Sequence, residues 1–359
     1  MSVTFHPLLV KSVRRETPEC VSVSFELPER LQDEFRFRHG QYLTFRKKIN
    51  NEEIRRSYSI CSSPHDNELR VAIKQVDEGL FSTFINTELK QGDTLEVMAP
   101  QGLFTSETNP DHEHNYVAFA AGSGITPVLS IIKTILYTEP KSNICLVYGN
   151  KNRGSIIFKA ELEALKNKFM ERLSIYHVLS REKADAAILS GRIDKEKTRQ
   201  FLDRIIDPAK IDQCFLCGPE EMILNVKDTL MDAGVPEKSI HYELFFSAVA
   251  QEKQKARKEL NTEHDTMSEV TIRLDGSAVT IPLSYNGDNI LDAALKNGAD
   301  LPFACKGGVC ATCRAKLEEG EVEMDVNYAL EKDELASGFI LTCQAHPRSE
   351  KVVVNFDIR

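Results

Sequence analysis

The chain has 359 residues, a hydrophobic fraction of 42% and a formal net charge of −9. This length exceeds one ordinary hydrophobic core, so two or three domains are expected. The acidic balance disfavours nucleic acid as a partner. Of the nine cysteines, five are scattered along the chain, which suits a reducing compartment and predicts a cytoplasmic protein.

The N-terminal segment has no long apolar stretch behind a basic flank, so no signal peptide is predicted. The run at 117–136, VAFAAGSGITPVLSIIKTIL, is long enough to raise the question of a membrane helix. Its two glycines, Pro127 and Lys133 favour a strand, a tight turn and a helix instead. No membrane association is expected.

Residues 1–105 contain short β-rich segments separated by turn residues, which predicts a small β-barrel. One of these segments carries Arg56, Tyr58 and Ser59. A cation beside an aromatic ring can bind a phosphate while the ring covers an apolar heterocycle. The alternative is an edge strand with a solvent-facing arginine and a packed tyrosine, and composition alone favours this alternative.

Apolar strands alternate with amphipathic helices over residues 112–246, which predicts a doubly wound parallel sheet. The turn Gly122-Ser123-Gly124-Ile125-Thr126-Pro127 follows its first strand and precedes a helix. Glycines allow close approach of a pyrophosphate, and a helix N-terminus offers N–H groups to it. We therefore predict a nucleotide site at Gly122, Gly124, Thr126 and Pro127, although the turn lacks the full GxGxxG pattern.

Residues 247–268 are charged and lack an apolar strand, which predicts a linker. Residues 269–359 form a predicted α+β module with 15 acidic and 9 basic residues, a net charge of −6, whereas residues 1–60 carry 11 basic and 8 acidic residues. This asymmetry fits either an ordinary solvated surface or an acidic module that docks on a basic face.

Four cysteines in the last module follow the plant-type spacing for a [2Fe–2S] cluster. Cys305, Cys310 and Cys313 form C-x4-C-x2-C, and Cys343 follows at a distance. Gly307 in the same loop, with its neighbour Gly308, would let the backbone fold tightly and aim N–H groups at sulfide. Structural zinc and unrelated buried thiols are the alternatives, but zinc sites favour paired ligands on both sides.

Taken in order, the motifs resemble the ferredoxin-NADP reductase superfamily. The resemblance rests on Arg56-x-Tyr58-Ser59, Gly79-Leu80-Phe81-Ser82, the GSGITP turn and Cys217-Gly218-Pro219. With the C-terminal cysteine module, the chain is similar to reductase components of the phenylacetyl-CoA epoxidase type. The resemblance covers nearly the whole chain and implies a β-barrel flavin domain, an α/β nucleotide domain and a β-grasp ferredoxin domain.

The resemblance also implies residue roles. Tyr58 would pack on the flavin of FAD, Arg56 would bind the FAD pyrophosphate, and Gly79 and Ser82 would contact the diphosphate. Cys217 would border the nicotinamide beside Gly218 and Pro219, whereas a structural role is expected for Cys214. Ser59 would lie near the reactive flavin nitrogen. Glu243 and Phe245 resemble an E-x-F pair near the flavin, although a hydrophobic strand end explains them almost as well. The predicted catalytic residues are Ser59, Cys217 and Glu243.

Ser180 and Arg181 follow the strand SIYHVLS, where NADP-selective relatives hold the 2′-phosphate, and Arg192 is a second candidate. An arginine beside a hydroxyl suits a phosphate, so NADPH is expected rather than NADH. The alternative is a solvated strand end.

The implied enzyme is an oxidoreductase that passes electrons from NADPH through FAD and [2Fe–2S] to an oxygenase. The resemblance favours a di-iron epoxidase acting on phenylacetyl-CoA. A Rieske oxygenase or another monooxygenase is an alternative acceptor, and a cluster-bearing sensor or binding module with little turnover is an alternative of another class.

Overall fold

The structure is a computed structural model that describes residues 4–245 and 266–358. It divides into two compact units, His6–Leu244 and a second that contains the described residues from Phe245 onward together with Thr4 and Phe5. Residues 247–265 of the predicted linker lie outside the described residues. The first strand after them begins at Met267, inside the range predicted as linker.

The first sheet of the unit His6–Leu244 forms the predicted β-barrel, and its strands pair antiparallel. Its strands are β1 (Phe5–Thr17), β2 (Cys20–Glu26), β3 (Tyr42–Ile49), β4 (Glu52–Ser59), β5 (Leu69–Lys74) and β6 (Thr94–Met98). They are arranged in the order β4-β3-β6-β1-β2-β5. A bridge between Ile60 and Val71 joins the β4 and β5 edges, so the sheet closes around its apolar core.

One helix in this module, α1 (Leu80–Thr87), is absent from the strand-only prediction. It buries Phe81 and Ile85 against the barrel core while Leu80 stays exposed. Apolar residues four positions apart share one face of a helix, but eight residues are too few for a clear period.

The second sheet of this unit is parallel, as predicted. Its strands are β7 (Asn115–Ala121), β8 (Asn143–Asn150), β9 (Leu173–Leu179), β10 (Gln213–Gly218) and β11 (Ile240–Leu244), in the order β11-β10-β7-β8-β9. The helices are α2 (Ile125–Thr138), α3 (Lys159–Lys168), α4 (Lys195–Arg204) and α5 (Glu220–Asp232). The run at 117–136 therefore consists of a strand, a turn and a helix. Its first part is continuously apolar because β7 is buried within a parallel sheet.

Helix α2 is buried even at polar positions because it also packs on the barrel. Lys133 Nζ lies 2.5 Å from Asp66 Oδ2 and 2.8 Å from Glu161 Oε1. Arg70 Nη2 lies 2.9 Å from Glu161 Oε2. Ser130 Oγ donates to the Ser62 carbonyl oxygen at 2.6 Å. These contacts compensate buried charges and join the segment that follows β4 to the helix that follows the glycine turn.

The second unit contains the α+β module. Its strands are β12 (Met267–Leu274), β13 (Ser277–Ser284), β14 (Arg314–Glu319), β15 (Val322–Met324), β16 (Phe339–Leu341), β17 (Ala345–Pro347) and β18 (Lys351–Asn355), with helices α6 (Ile290–Lys296) and α7 (Lys332–Ala336). Five strands are arranged as β13-β12-β18-β14-β16, with β12 parallel to β18, and β15 pairs with β17. Helix α6 packs on this mixed sheet, the β-grasp arrangement predicted.

Across residues 4–245 and 266–358, none of the helices has both the length and the apolar character needed to span a membrane.

Candidate functional site

Strand β4 carries Arg56 and Tyr58. Arg56 is exposed, and its Nη1 donates to the Arg55 carbonyl oxygen at 2.7 Å. The Tyr58 ring stacks on Phe81 with ring centroids 5.9 Å apart and contacts Phe45 at 6.0 Å. Burial raises the pKa of the Tyr58 hydroxyl. The strand therefore combines a solvent-accessible cation with a neutral aromatic ring fixed by the barrel core, a pair suited to a phosphate and an apolar heterocycle.

The turn before α1 needs glycine at position 79. A Cβ at Gly79 would lie 2.4 Å from Val76 Cγ2 and 2.6 Å from Ser82 Oγ. Ser82 Oγ donates to the Gly79 carbonyl oxygen at 3.0 Å and accepts from the Val76 N–H at 3.2 Å. The Ser82 hydroxyl is therefore used within the turn. The first N–H groups of α1, which have no partner inside the helix, are the donors this turn offers to an anion.

The two glycines of the nucleotide turn are needed for different reasons. Gly122 has φ +54°, and a Cβ there would have no atom within 4 Å. A Cβ at Gly124 would instead lie 2.1 Å from the Cys217 carbonyl oxygen and 2.8 Å from the Gly218 nitrogen. The turn thus approaches β10 as closely as a backbone without a side chain allows.

Three side chains stabilise this turn and the start of α2. Tyr148 Oη donates to the Gly122 carbonyl oxygen at 2.9 Å. Thr126 Oγ1 donates to the Ser123 carbonyl oxygen at 2.9 Å, and Pro127 is buried within α2. The sequence reasoning did not identify Tyr148, which comes from the next strand of the sheet.

The three predicted catalytic residues come together between the barrel and the parallel sheet. Ser59 Oγ, at the end of β4, donates to Glu243 Oε2 on β11 at 3.0 Å. Cys217 on β10 pairs in register with Glu243. The Cys217 thiol is fully buried, and burial together with the Glu243 carboxylate raises its pKa. Cys217 is therefore a neutral thiol, and the acidic group of this cluster is Glu243.

Cys214 fits the structural role expected of it. Cys214 and Cys217 lie three positions apart on β10, so their side chains point to opposite faces of the sheet. Both are buried and unpaired, and burial raises the pKa of the Cys214 thiol. Gly218 permits another close approach, since a Cβ there would lie 2.7 Å from Met222 Cε. Pro219 directly precedes α5.

Ser180 and Arg181 lie at the carboxyl end of β9. The Ser180 and Arg181 N–H groups donate to the carbonyl oxygens of Asn150 and Lys151 at 2.9 Å and 2.8 Å. Both side chains are exposed. Within the described residues, the Arg181 guanidinium has no hydrogen-bond or ion-pair partner. The neighbouring Glu182 instead accepts from the Arg153 N–H at 2.8 Å.

Two other predicted residues have less defined surroundings. Arg192 is exposed beyond the short helical turn that follows β9. Phe245 directly follows β11 and is 41% exposed.

The four predicted cluster ligands converge within the second unit. Cys305 Sγ and Cys310 Sγ lie 3.1 Å apart, and Cys313 and Cys343 are buried. Contact with Cys310 and burial raise the pKa of the Cys305 thiol. Contact with Cys313 and burial raise the pKa of Cys343. Four adjacent sulfurs become thiolates together only with a compensating cation, so the donor set fits iron ligation.

The backbone conformation of the loop around these cysteines requires glycine at position 308. Gly308 has φ +71°, and a Cβ there would lie 2.8 Å from Val326 Cγ2. The Gly307 N–H donates to Cys305 Sγ at 3.3 Å. Gln344, which the sequence reasoning did not identify, donates from Nε2 to Cys343 Sγ at 3.5 Å and to the Lys306 carbonyl oxygen at 3.1 Å.

Three family models match successive parts of the chain. They are described as the oxidoreductase FAD-binding domain over residues 7–105, the oxidoreductase NAD-binding domain over 119–228, and the 2Fe-2S iron-sulfur cluster binding domain over 272–348. The chain is thus an oxidoreductase with FAD-binding, NAD(P)-binding and [2Fe–2S]-binding domains.

Solved structures share this fold at low sequence identity. Phthalate dioxygenase reductase matches with a TM-score of 0.57 and 22% identity, covering 98% of each chain. An intact type IV self-sufficient cytochrome P450 monooxygenase matches with a TM-score of 0.70 and 23% identity, covering 98% of this chain and 41% of that one. The flavin, nucleotide and cluster domains therefore follow one known architecture.

Relatives that match this chain over nearly its full length identify its family. One component of the 1,2-phenylacetyl-CoA epoxidase of Escherichia coli (strain K12) is 44% identical, covering 99% of both chains. The ferredoxin reductase component of 3-ketosteroid-9-alpha-monooxygenase from Rhodococcus rhodochrous is 32% identical, covering 97% of this chain and 96% of that one. The chain belongs to this family of flavin, nucleotide and [2Fe–2S] reductase components that pass electrons to oxygenases.

Proposed function

We propose that this reductase takes electrons from NADPH and delivers them, through FAD and the [2Fe–2S] cluster, to a di-iron oxygenase that epoxidises the ring of phenylacetyl-CoA. The observation that carries the proposal is the hydrogen bond from Ser59 to Glu243. It joins the flavin strand β4 to strand β11, which pairs with the strand that carries Cys217. The proposed domains are residues 1–105, 112–246 and 269–359, with a linker at 247–268.

When bound, FAD accepts an electron pair from the nicotinamide, and the [2Fe–2S] cluster passes electrons on singly. The roles of the side chains form part of the proposal. Tyr58 offers its ring to the flavin, and Arg56 offers a positive charge to the pyrophosphate. Ser59 places a hydroxyl beside the reacting ring, and Glu243 fixes the direction of that hydroxyl. The buried Cys217 thiol excludes water beside the nicotinamide.

The residues at the carboxyl end of β9 are proposed to determine the choice between NADPH and NADH. Arg181 is exposed and has no side-chain partner within the described residues, so it is available to a 2′-phosphate at little desolvation cost. A guanidinium gains charge-assisted hydrogen bonds from a phosphate dianion but little from a ribose hydroxyl. Ser180 contributes a hydroxyl beside it. These features support NADPH over NADH.

The variant Arg181→Ala tests this choice. We expect KM for NADPH to rise by about tenfold or more, since a charge-assisted contact contributes about 1.5–3 kcal/mol. KM for NADH should change little. Arg204→Ala, which removes an exposed cation at the end of α4 in the same domain, is the matched control. An unchanged ratio of the two KM values in Arg181→Ala would remove the 2′-phosphate role.

The electron acceptor is proposed from the 44% identical relative, whose name is that of a phenylacetyl-CoA epoxidase component. The test is NADPH-driven epoxidation of phenylacetyl-CoA by the other components of that epoxidase when this chain replaces their reductase. The 32% identical relative serves a 3-ketosteroid monooxygenase and makes a monooxygenase of that type the second candidate. Turnover with that oxygenase alone would favour the second candidate.

The cytoplasm is the proposed location. All nine cysteines are unpaired, which suits a reducing compartment. Trapping the thiols of freshly lysed cells with an alkylating reagent tests this, because a disulfide would protect its two cysteines from alkylation.

A further inference from the structure

The carbonyl group of Gly122 accepts hydrogen bonds from two directions. The Ile125 N–H at the start of α2 bonds to it from within the turn, and Tyr148 Oη lies 2.9 Å from its oxygen. A carbonyl oxygen can only accept, so the tyrosine hydroxyl is the donor. The contact joins β8 to the turn that follows β7, across 26 positions of the sequence.

Tyr148 holds its hydroxyl in one place because its ring is enclosed. It lies in β8 between Ala120 of β7 and His177 of β9, with which it pairs in register. Its side chain is fully buried, and its ring centroid lies 5.9 Å from that of His177. A large side chain packed in this way has little rotamer freedom, whereas the glycine backbone is permissive. The position of the hydroxyl therefore constrains the Gly122 carbonyl.

The hydroxyl is needed neither to satisfy the Gly122 carbonyl nor to fill the core. The Ile125 N–H already gives this oxygen a partner. Phenylalanine would fill the same space without a buried hydroxyl that requires an acceptor. The distinctive contribution of tyrosine at position 148 is therefore a second hydrogen bond, which fixes the direction of the carbonyl. Tyr116 uses its hydroxyl differently, since it donates to Glu139.

A fixed carbonyl direction also fixes the direction of the next N–H. The peptide between Gly122 and Ser123 is planar and trans, so its C=O and N–H point in opposite directions. With the C=O directed at Tyr148, the Ser123 N–H is directed away from the tyrosine. N–H groups in such a first turn have no acceptor within the helix. The space beside the turn is open, since a Cβ at Gly122 would have no atom within 4 Å, and backbone donors beside open space suit a diphosphate.

We propose that Tyr148 is a positioning residue for pyridine nucleotides, which holds the Gly122–Ser123 peptide so that the Ser123 N–H faces the nucleotide diphosphate. The inference rests on the nucleotide site proposed at this turn. NADPH and NADH share the diphosphate, so Tyr148 affects the affinity for both equally, whereas Arg181 affects NADPH alone. The Ile125 hydrogen bond and the close approach of Gly124 to β10 do not depend on the hydroxyl, so the rate of flavin reduction by bound nucleotide does not depend on it either.

The variant Tyr148→Phe removes only this hydroxyl. Anaerobic stopped-flow measurements of flavin reduction in the holoenzyme, at a series of nucleotide concentrations, give Kd and the limiting rate separately. We expect Kd for NADPH and Kd for NADH to rise by the same factor, about three- to tenfold, which corresponds to one hydrogen bond. The limiting rate should stay at the wild-type value. Tyr116→Phe, which removes another buried tyrosine hydroxyl, is the matched control and should keep both Kd values.

Isothermal titration calorimetry of the oxidised holoenzyme with NADP⁺ and NAD⁺ repeats the comparison without turnover. Flavin and cluster absorption verifies that both variants are folded and loaded. Unchanged Kd values in Tyr148→Phe, together with slowed flavin reduction in Gly124→Ala, would overturn the role of Tyr148 and leave the nucleotide site standing. Wild-type behaviour of both Tyr148→Phe and Gly124→Ala would count against the nucleotide site itself. A change confined to NADPH, or to the limiting rate, would also overturn the proposal.

Discussion

Replacing Gly124 with alanine places a methyl group 2.1 Å from the Cys217 carbonyl oxygen and 2.8 Å from the Gly218 nitrogen. An ordinary carbon–oxygen contact is about 3.3 Å, close to the lower end of optimal non-bonded separations. The nucleotide turn and β10 must therefore separate by about 1 Å. Both contacted atoms belong to the backbone, so a rotamer change cannot relieve the clash.

A displacement of about 1 Å between reacting groups can reduce a rate by about 100-fold. We expect the rate of flavin reduction by NADPH in Gly124→Ala to fall by about this factor, measured by anaerobic stopped-flow absorbance. Flavin and iron content should stay at wild-type levels, since the three atoms nearest to the added Cβ all belong to Cys217 and Gly218. Gly154→Ala, whose Cβ would have only an ordinary contact at 3.4 Å, is the control. A wild-type rate in Gly124→Ala would refute the reasoning.

Three further predictions concern other contacts. Lys133→Met removes the partner of Asp66 while Glu161 keeps Arg70, which should lower the free energy of unfolding by about 2 kcal/mol and Tm by about 5 °C in a domain of this size. The control Lys195→Met removes an exposed lysine and should change Tm little. Equal Tm values for Lys133→Met and the wild type would contradict a stabilising role for the buried Lys133–Asp66 pair. Arg70 and Lys133 lower the pKa of Glu161 below its ordinary 4.5, so its contribution is present above that pH and is lost as pH falls through the folded-state pKa. The Tm difference between wild type and Glu161→Gln should therefore narrow below about pH 4.5, and a constant difference would exclude this linkage. Gly308→Ala should reduce iron content per chain, because its Cβ would meet Val326 at a positive φ, and full iron loading would show that the loop adapts.

Local patterns were enough to propose the cluster ligands and the nucleotide turn, because the geometry that each of them requires is encoded within a few residues. The spacing of Cys305, Cys310 and Cys313 determines a loop, and Gly122 and Gly124 lie at a strand end where a parallel sheet places its turns. The apolar run at 117–136 was correctly interpreted as a strand and a helix because its glycines and Pro127 interrupt any single helix.

Contacts between distant segments were not predictable from residues alone. Ser59 and Glu243 are 184 positions apart, and only the resemblance to a known family suggested that both lie near the flavin. Helix α1 was not predicted because it is short and lies among β-rich segments. Lys133 is buried in an otherwise apolar helix because the barrel supplies Asp66, and no pattern within α2 signals that partner. Gln344 adjoins the predicted ligand Cys343, and this adjacency is the sequence signal that could have identified it.

The central claim is that electrons pass from NADPH to the flavin and then to the [2Fe–2S] cluster of the same chain. Anaerobic titration of the purified holoenzyme with NADPH, followed by visible absorption and low-temperature EPR, tests it most directly. The account predicts that the flavin absorption falls and that the signal of a reduced [2Fe–2S] cluster appears. A flavin that bleaches fully while the cluster remains oxidised, or a protein that contains zinc instead of iron at the four cysteines, would contradict it.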